Sequence, residues 1–547
     1  MTVRQIGGDL STVVDVLRVA AVENAQLEAY VEMAEPDSTG VVASGPDGRR
    51  RLTFAQWDAA ADGVAALLSA HGVTKGDVVC LLLPSSIDYA VCYQAATRLG
   101  ALTTGVNLRL GPAEQASITA RTRPVVTVVD TDLVAESAVP PGAGRLVARS
   151  ALAGAAGDPP PRLPLLDAGD PVTIVWTSGS TGVPKGAVFD HRNLAAVSAG
   201  TDVLSHPGDR RLSPLPFAHV GYMTRPWDEI AHGVTTVITP QPWSAATAIA
   251  LLVSERVTVG QGVPTQWALM LAHPDFADAD VSHLRIAGTG ASRVPPELVR
   301  DMRHRLGCPV VVRYTSTETS LGTGTRPGDP DDVVATTVGR PVPGVEMAVV
   351  DDQGQVTAAG EVGRVRLRSG AVMRGYLGNQ GADFIDATAT AEVLDDAGWI
   401  TTGDLGWVGD DGNLRLVGRV AEMYIRGGYN VYPAEVEAVL GAHPGVREVA
   451  VVGLPDPVLG EIGAAFVVPL PGAPVPELVD LRRLSASRLA DYKGPDRLIV
   501  VDQLPLTAMA KVDKRALSAR LAEMEATDGT AGPMTLSTKT PNAKVGS

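Results

Sequence analysis

Cysteine is scarce in this chain. Cys80, Cys92 and Cys308 lie far apart and no pair has C-x-x-C spacing, which excludes a disulfide framework and a cysteine zinc site. The histidines show no H-E-x-x-H or comparable metal spacing. Basic charge is also short, with 46 Lys and Arg against 61 Asp and Glu and a formal net charge of −15. No basic stripe offsets that balance, so no nucleic-acid partner is expected, and an anionic ligand needs a locally positive site. No uncharged apolar run reaches bilayer-spanning length, so no integral membrane segment is expected. Asp9, Asp15, Glu23 and Glu28 stand where a secretory leader would be basic and then apolar. A cytoplasmic location is expected.

The 547 residues exceed what one core usually supports, which predicts at least two domains. From Leu52 to Val129 amphipathic helices alternate with short apolar strands. The pattern predicts a helix over Phe54–Ala70, a strand over Val78–Leu83 stopped by Pro84, and a helix over Tyr89–Leu99 closed by Gly100. This rhythm implies a mostly parallel sheet covered by helices. Residues 137–170, with Pro140-Pro141 and Pro159-Pro160-Pro161, read as a surface connector. The alternation resumes from Val172 to Leu321, a strand-rich stretch runs from Val338 to Val417, and a compact αβ segment extends from Glu422 to Leu521. Leu517, Leu521 and Met524 keep helical spacing. Residues 526–547 lack an apolar period and are expected to be disordered.

The most informative stretch follows the apolar run Val172-Thr173-Ile174-Val175-Trp176. It reads Thr177-Ser178-Gly179-Ser180-Thr181-Gly182-Val183-Pro184-Lys185-Gly186. Glycines let backbone N–H groups close on phosphate oxygens, and hydroxyls with a lysine add donors, so this is a polyphosphate loop. It is not a P-loop, because Val183-Pro184 separate the glycine from Lys185. Nor is it a nucleophile elbow, because Gly179 sits directly beside Ser180.

The loop resembles the signature of the adenylate-forming superfamily, which includes acyl-CoA synthetases, peptide-synthetase adenylation domains and beetle luciferases. Six further stretches resemble that family in its order, and the chain looks most like a bacterial fatty-acid or acyl-CoA ligase. Pro216-Phe217-Ala218-His219-Val220-Gly221 resembles the segment whose histidine sits at the acyl pocket. Gly288-Thr289-Gly290-Ala291 resembles the flat segment under adenine. In Tyr314-Thr315-Ser316-Thr317-Glu318 the resemblance implies that Tyr314 stacks on adenine, Thr317 contacts phosphate and Glu318 holds Mg2+. Thr402-Gly403-Asp404 resembles the ribose segment, with Asp404 as acceptor, and Arg419 would contact ribose. Gly427-Gly428 resembles the loop lining the pantetheine tunnel, which makes both CoA-binding. Leu504-Pro505-Leu506-Thr507-Ala508-Met509-Ala510-Lys511 resembles the loop of the adenylation lysine, here Lys511. The catalytic set implied is Lys511, His219, Glu318 and Thr181. Thr177, Ser178, Gly179, Ser180, Thr181, Gly182, Lys185, Gly290, Ala291, Tyr314, Thr317, Asp404 and Arg419 would bind ATP or AMP. Three positions depart from the family pattern: Thr315 and Ala510 where glycine is usual, and Ala421 at the hinge position usually held by Asp or Lys.

The resemblance also implies an α/β fold. Residues 1–418 would form a large N-terminal domain of mostly parallel sheets covered by helices, with a β-rich subdomain. Residues 419–422 would be the hinge, 423–522 a small mobile α+β domain, and 523–547 a disordered tail. The implied reaction couples a carboxylic acid, ATP and CoA to acyl-CoA, AMP and pyrophosphate, with Mg2+. The alternative is an acyl-AMP ligase loading a separate carrier protein. A non-catalytic nucleotide-binding protein is opposed by Lys511, Glu318 and His219 occurring together. A homodimer is left open. Trp227, after His219, would shorten or flatten the acyl pocket and favours a medium-length, branched, cyclic or aromatic acid. Arg225 reads as a surface pair with Glu229, worth about 0.3–0.5 kcal/mol, with contact to a second polar group of the substrate as the other reading.

Overall fold

A computed structural model describes residues 3–527 apart from 9, 35–39, 131–138, 178–183, 293, 379–383, 428 and 508–510. The chain forms two compact units. The first holds residues up to Ala348 with Arg366–Thr402 and Val408–Arg415; the second holds Val349–Val365, Gly403–Trp407 and the chain from Leu416 onward.

In the first unit Val78–Leu82 is buried at every position, as an apolar run covered on both faces must be. It lies inside a seven-stranded sheet in the order Gly375–Tyr376, Lys185–Asp190, Pro171–Thr177, Leu102–Gly105, Val78–Leu82, Val126–Val129, Arg145–Ala148. The pairings from Pro171–Thr177 through Arg145–Ala148 are parallel, and the two at the other end are antiparallel. A nine-stranded sheet contains Val259–Gln261, Ile286–Gly290 and Val310–Tyr314 as parallel neighbours.

The helix Phe54–Ala70 starts where the Thr53 hydroxyl accepts the Gln56 N–H and the Gln56 side chain accepts the Thr53 N–H. The next helix is Ile87–Arg98, beginning two positions earlier than its apolar pattern indicates because the Ser86 hydroxyl accepts the Tyr89 N–H. Residues 137–170 are more than a connector. Arg145–Ala148 adds a parallel edge strand to Val126–Val129, and Ala151–Ala155 forms a short helix. Val147 is buried in the core, and Arg149 pairs with Asp88 at 2.7 Å and Asp130 at 3.0 Å. Those contacts pin a segment whose prolines suggested a loose path.

The strand-rich stretch forms a four-stranded sheet in the order Val345–Val350, Gly363–Ser369, Ile400–Val408, Leu414–Arg419. In the second unit a five-stranded sheet is built on the long hairpin Val446–Asp456 and Gly460–Pro469, accompanied by the helices Pro433–Leu440, Leu478–Ala486 and Lys514–Thr527. Leu517 and Leu521, one helical turn apart, are buried with Phe466 and Ile499. The fold is therefore α/β with a separate C-terminal α+β region. No helix among the described residues is long and apolar enough to cross a membrane.

Candidate active site

The strands that flank the expected phosphate loop pair with each other. Thr177 closes the strand Pro171–Thr177 and pairs with Lys185 at the start of the returning strand Lys185–Asp190. Trp176 donates its indole N–H to Thr104 Oγ1 at 2.8 Å, and the Arg121 guanidinium lies 5.7 Å from the Trp176 ring while donating to the Pro184 carbonyl. Ser178, Gly179, Ser180, Thr181 and Gly182 lie outside the described residues.

Lys185 Nζ sits 5.0 Å from the Tyr376 ring centroid and 3.1 Å from Glu392 Oε2. The Tyr376 hydroxyl donates to Glu318 Oε1 at 2.9 Å. Burial, followed by the Glu318 charge, pushes the Tyr376 phenol well above its ordinary value, so it stays a donor. Met373 N–H donates to the Glu318 carbonyl at 2.8 Å, fixing the backbone beneath the carboxylate. The structure thus brings Lys185 to the ring and Glu318 to the hydroxyl of one tyrosine. Sequence reasoning missed Tyr376. Gly375–Tyr376 is a two-residue strand at a sheet edge, too short to show a period in the sequence.

Gly290 and Tyr314 end the parallel strands Ile286–Gly290 and Val310–Tyr314, the usual ligand-bearing ends of such sheets. Gly290 has φ +157°, and a Cβ there would lie 2.2 Å from the Arg313 carbonyl oxygen, so only glycine fits. Ala291 takes φ +63°, a left-handed conformation costing an alanine about 1–2 kcal/mol. Such strain is characteristic of functional segments. Tyr314 is buried and its hydroxyl donates to Thr402 Oγ1 at 3.3 Å. The following turn is held by Ser316 N–H donating to Thr319 Oγ1 at 3.1 Å, with Thr317 and Glu318 half-buried.

His219 precedes the short helix Val220–Met223. Asn107 Oδ1 accepts the Arg109 N–H at 2.9 Å, which turns the Asn107 amide nitrogen to His219 Nε2, also at 2.9 Å. Nε2 is thereby the acceptor. Asn107 was not foreseen, although it lies two residues beyond the end of the parallel strand Leu102–Gly105. On either side of His219 in sequence, the Phe217 and Tyr222 rings stack at 3.6 Å and 3° in the core, with Tyr89 edge-on to both. Trp227 is half-buried against the same core.

Arg225 is not a surface partner of Glu229. The helix Pro226–Ala231 buries both Asp228 and Glu229, and Glu229 faces Arg211 at 3.5 Å and the Tyr30 hydroxyl at 3.5 Å. Arg225 instead lies 3.8 Å from Asp228 Oδ2. The i,i+4 reading assumes a solvated helix face, and this helix packs into the core.

In the second unit Arg419 Nε donates to Asp404 Oδ1 at 2.9 Å. Lys511 is anchored by its backbone: its N–H donates to Thr507 Oγ1 at 3.3 Å, and its carbonyl accepts the Thr507 N–H at 2.7 Å. Ala510 lies outside the described residues. Desolvation, followed by the Arg419 charge, holds the Lys511 ammonium below its ordinary value, with Asp404 opposing. Lys511, Arg419 and Asp404 therefore share one electrostatic neighbourhood. Ala421 sits in the single turn Val420–Glu422, next to an ion triad in which Lys514 Nζ meets Glu422 at 2.8 Å and Glu437 at 2.9 Å. Gly427 turns the hairpin between Tyr424–Arg426 and Tyr429–Val431 at φ +57°, donating to the Leu459 carbonyl at 2.7 Å; Gly428 lies outside the described residues.

Residues 28–377 match the model of the AMP-binding enzyme family, and residues 435–511 match that of the AMP-binding enzyme C-terminal domain. The chain is 36% identical over 501 residues to an indoleacetate–CoA ligase of Aromatoleum aromaticum, covering 87% of this chain and 95% of that one. It is 34% identical over 521 residues to the long-chain-fatty-acid–CoA ligase FadD13 of Mycobacterium tuberculosis, covering 92% and 97%. Among solved structures it is similar to a Mycobacterium tuberculosis fatty acyl CoA synthetase, with TM-score 0.72, 31% identity, and 94% and 99% of the two chains covered. ATP-bound MatB from Rhodopseudomonas palustris gives TM-score 0.82 at 26% identity, covering 93% and 99%. The chain belongs to the AMP-binding enzyme family, the adenylate-forming enzymes, and is an acid–thiol ligase that forms an acyl-adenylate and passes the acyl group to CoA.

Proposed function

We propose that the acid this ligase activates is compact: medium-length, branched, cyclic or aromatic. The observation that carries this is the rigid aromatic packing of Phe217, Tyr222 and Tyr89 in the core next to the His219 segment, with Trp227 half-buried against it. Two relatives are named for ring-bearing acids, indoleacetate and ferulate.

In the first half-reaction a carboxylate oxygen attacks the α-phosphorus of ATP, and pyrophosphate leaves with the bonding electrons. Free carboxylate resists a thiol because oxide is a poor leaving group; joined to AMP, the same oxygen leaves readily. Lys511 stabilises the charge gathering on the α-phosphate, a contribution of about 3–4 kcal/mol for one well-placed donor. Residues 178–182 and Lys185 hold the outer phosphates, and Gly290, Ala291 and Tyr314 form the adenine shelf. Thr317 contacts phosphate, while Asp404 and Arg419 hold the ribose. In the second half-reaction a thiolate attacks the acyl carbon and AMP leaves. Gly427 and Gly428 line the path of the thiol arm, and the small domain turns about 419–422, with Ala421 at the pivot.

Glu318 suits Mg2+. Its Oε1 is oriented by Tyr376, and Mg2+ takes one or two carboxylates along with phosphate oxygens and water instead of a full protein cage. When bound, the ion neutralises charge on the phosphates. His219, held by Asn107, orients the acid.

The test mixes the protein with ATP, Mg2+ and a panel of acids, with and without CoA, and follows products by mass spectrometry. Acyl-CoA and AMP appearing together, fastest for compact acids, is the expected result. A preference for long straight chains would overturn the substrate assignment, and acyl-AMP accumulating without CoA transfer would move the acceptor to a carrier protein.

A further inference from the structure

Two arginines near the proposed acyl site carry buried donors without acceptors. Arg313 precedes Tyr314 on the strand Val310–Tyr314, and its Nε and Nη2 are buried with no hydrogen-bond partner. Its guanidinium lies over Gly324, where a Cβ would come within 2.1 Å of Nη1, so the absent side chain makes the cradle it occupies. Arg225, shortly after His219, has Nη1 buried and likewise without a hydrogen-bond partner.

The nearest carboxylate to Arg225 is Asp228, whose Oδ2 lies 3.8 Å from Arg225 Nη1, beyond hydrogen-bond distance, and whose Oδ1 is buried without a hydrogen bond. Asp228 Oδ2 accepts from Ser205 Oγ at 2.8 Å and faces Arg211 at 3.4 Å, while Oδ1 lies 3.1 Å from His232 Nδ1. Glu229 faces Arg211 and Tyr30. Arg211 and Arg225 share Asp228 and Glu229, with burial raising Glu229 towards its neutral form, while the carboxylate that acts on Arg313 is Asp202. Burial lowers Arg313 to about 10, with Asp202 opposing and Arg225 reinforcing, so Arg313 stays charged at neutral pH. Asp202 is exposed and forms no ion pair with it among the described residues. A buried guanidinium whose donors lack acceptors is costly, and an anion arriving from outside would supply acceptors to Arg313 Nε and Nη2.

We infer that Arg225 and Arg313 receive a second anionic group on the acid, making the preferred substrate a dicarboxylic acid activated at only one end. This rests on the ligase reading above and narrows its substrate. Guanidinium forks pair with a carboxylate through parallel N–H donors, which supplies orientation as well as charge. The far carboxylate would fix which end of the molecule faces His219.

The test compares kcat/KM in matched pairs: suberic against octanoic acid, and 4-carboxyphenylacetic against 4-methylphenylacetic acid. The expected result is at least a tenfold preference for the diacid in one pair. Arg313→Met and Arg225→Met should abolish or reverse that preference through KM, while Arg313→Lys, which keeps the charge, should retain part of it. Neutral acids converted as well as or better than both diacids would overturn the inference while leaving the ligase reading standing. Failure to convert any of the four, by an enzyme that converts other acids, would overturn the inference and the compact-acid assignment together. An Arg313→Met enzyme that folds, turns over the neutral acids and still prefers the diacid would also overturn it.

Discussion

Tyr376 donates its phenolic hydrogen to Glu318 at 2.9 Å across a sequence separation of 58 residues, and the same ring carries the Lys185 ammonium 5.0 Å from its centroid. One aromatic residue thus sets the position of both the carboxylate proposed to hold Mg2+ and the cation proposed to meet the outer phosphates.

Removing only that hydroxyl tests the arrangement. A hydrogen bond to a charged group is worth about 1.5–3 kcal/mol, so Tyr376→Phe should slow acid-dependent ATP–pyrophosphate exchange roughly 10- to 100-fold. It should also raise the Mg2+ concentration needed for half-maximal rate. An unchanged Mg2+ dependence would separate Tyr376 from the metal role.

Gly290→Ala places a Cβ where the Arg313 carbonyl stands, at a φ that alanine rarely adopts. The expected cost is about 1–3 kcal/mol of stability together with a higher KM for ATP. Thermal melting with and without ATP reads both, and a variant with unchanged melting and ATP response would contradict the shelf assignment.

Lys511→Ala should lose about 10²–10³-fold in adenylate formation yet still convert a supplied acyl-adenylate and CoA to acyl-CoA. Equal loss in both half-reactions would contradict the assignment of Lys511 to the first step alone.

The lowered Lys511 value has a pH consequence. The charged ammonium is the active form, so adenylation should decline as pH rises, at a pH below that of an ordinary lysine. Arg419→Gln removes one of the lowering influences and should move that alkaline limb upward, whatever it does to KM. A limb that stays in place would detach the two residues electrostatically.

Much of the fold was legible because local signals agreed. The helix Phe54–Ala70 has its apolar period and its Thr53–Gln56 cap in one window, and the buried strand Val78–Leu82 is a single apolar run. The edge strand Arg145–Ala148 escaped notice because four residues between proline-rich stretches carry no period. Tyr376 and Asn107 were invisible for a different reason: each earns its place through one long-range hydrogen bond, to Glu318 and to His219. Arg225 was misread because its partners' burial is set by where the helix Pro226–Ala231 packs, which spacing along the chain does not encode.

The central claim is that the acid's own oxygen is transferred to AMP. Turnover of an acid labelled with 18O in both carboxylate oxygens, followed by mass spectrometry of the nucleotide, tests it directly. The account predicts AMP carrying one 18O atom on its phosphate and a pyrophosphate free of label. Unlabelled AMP, or ADP with labelled inorganic phosphate, would contradict activation through an acyl-adenylate.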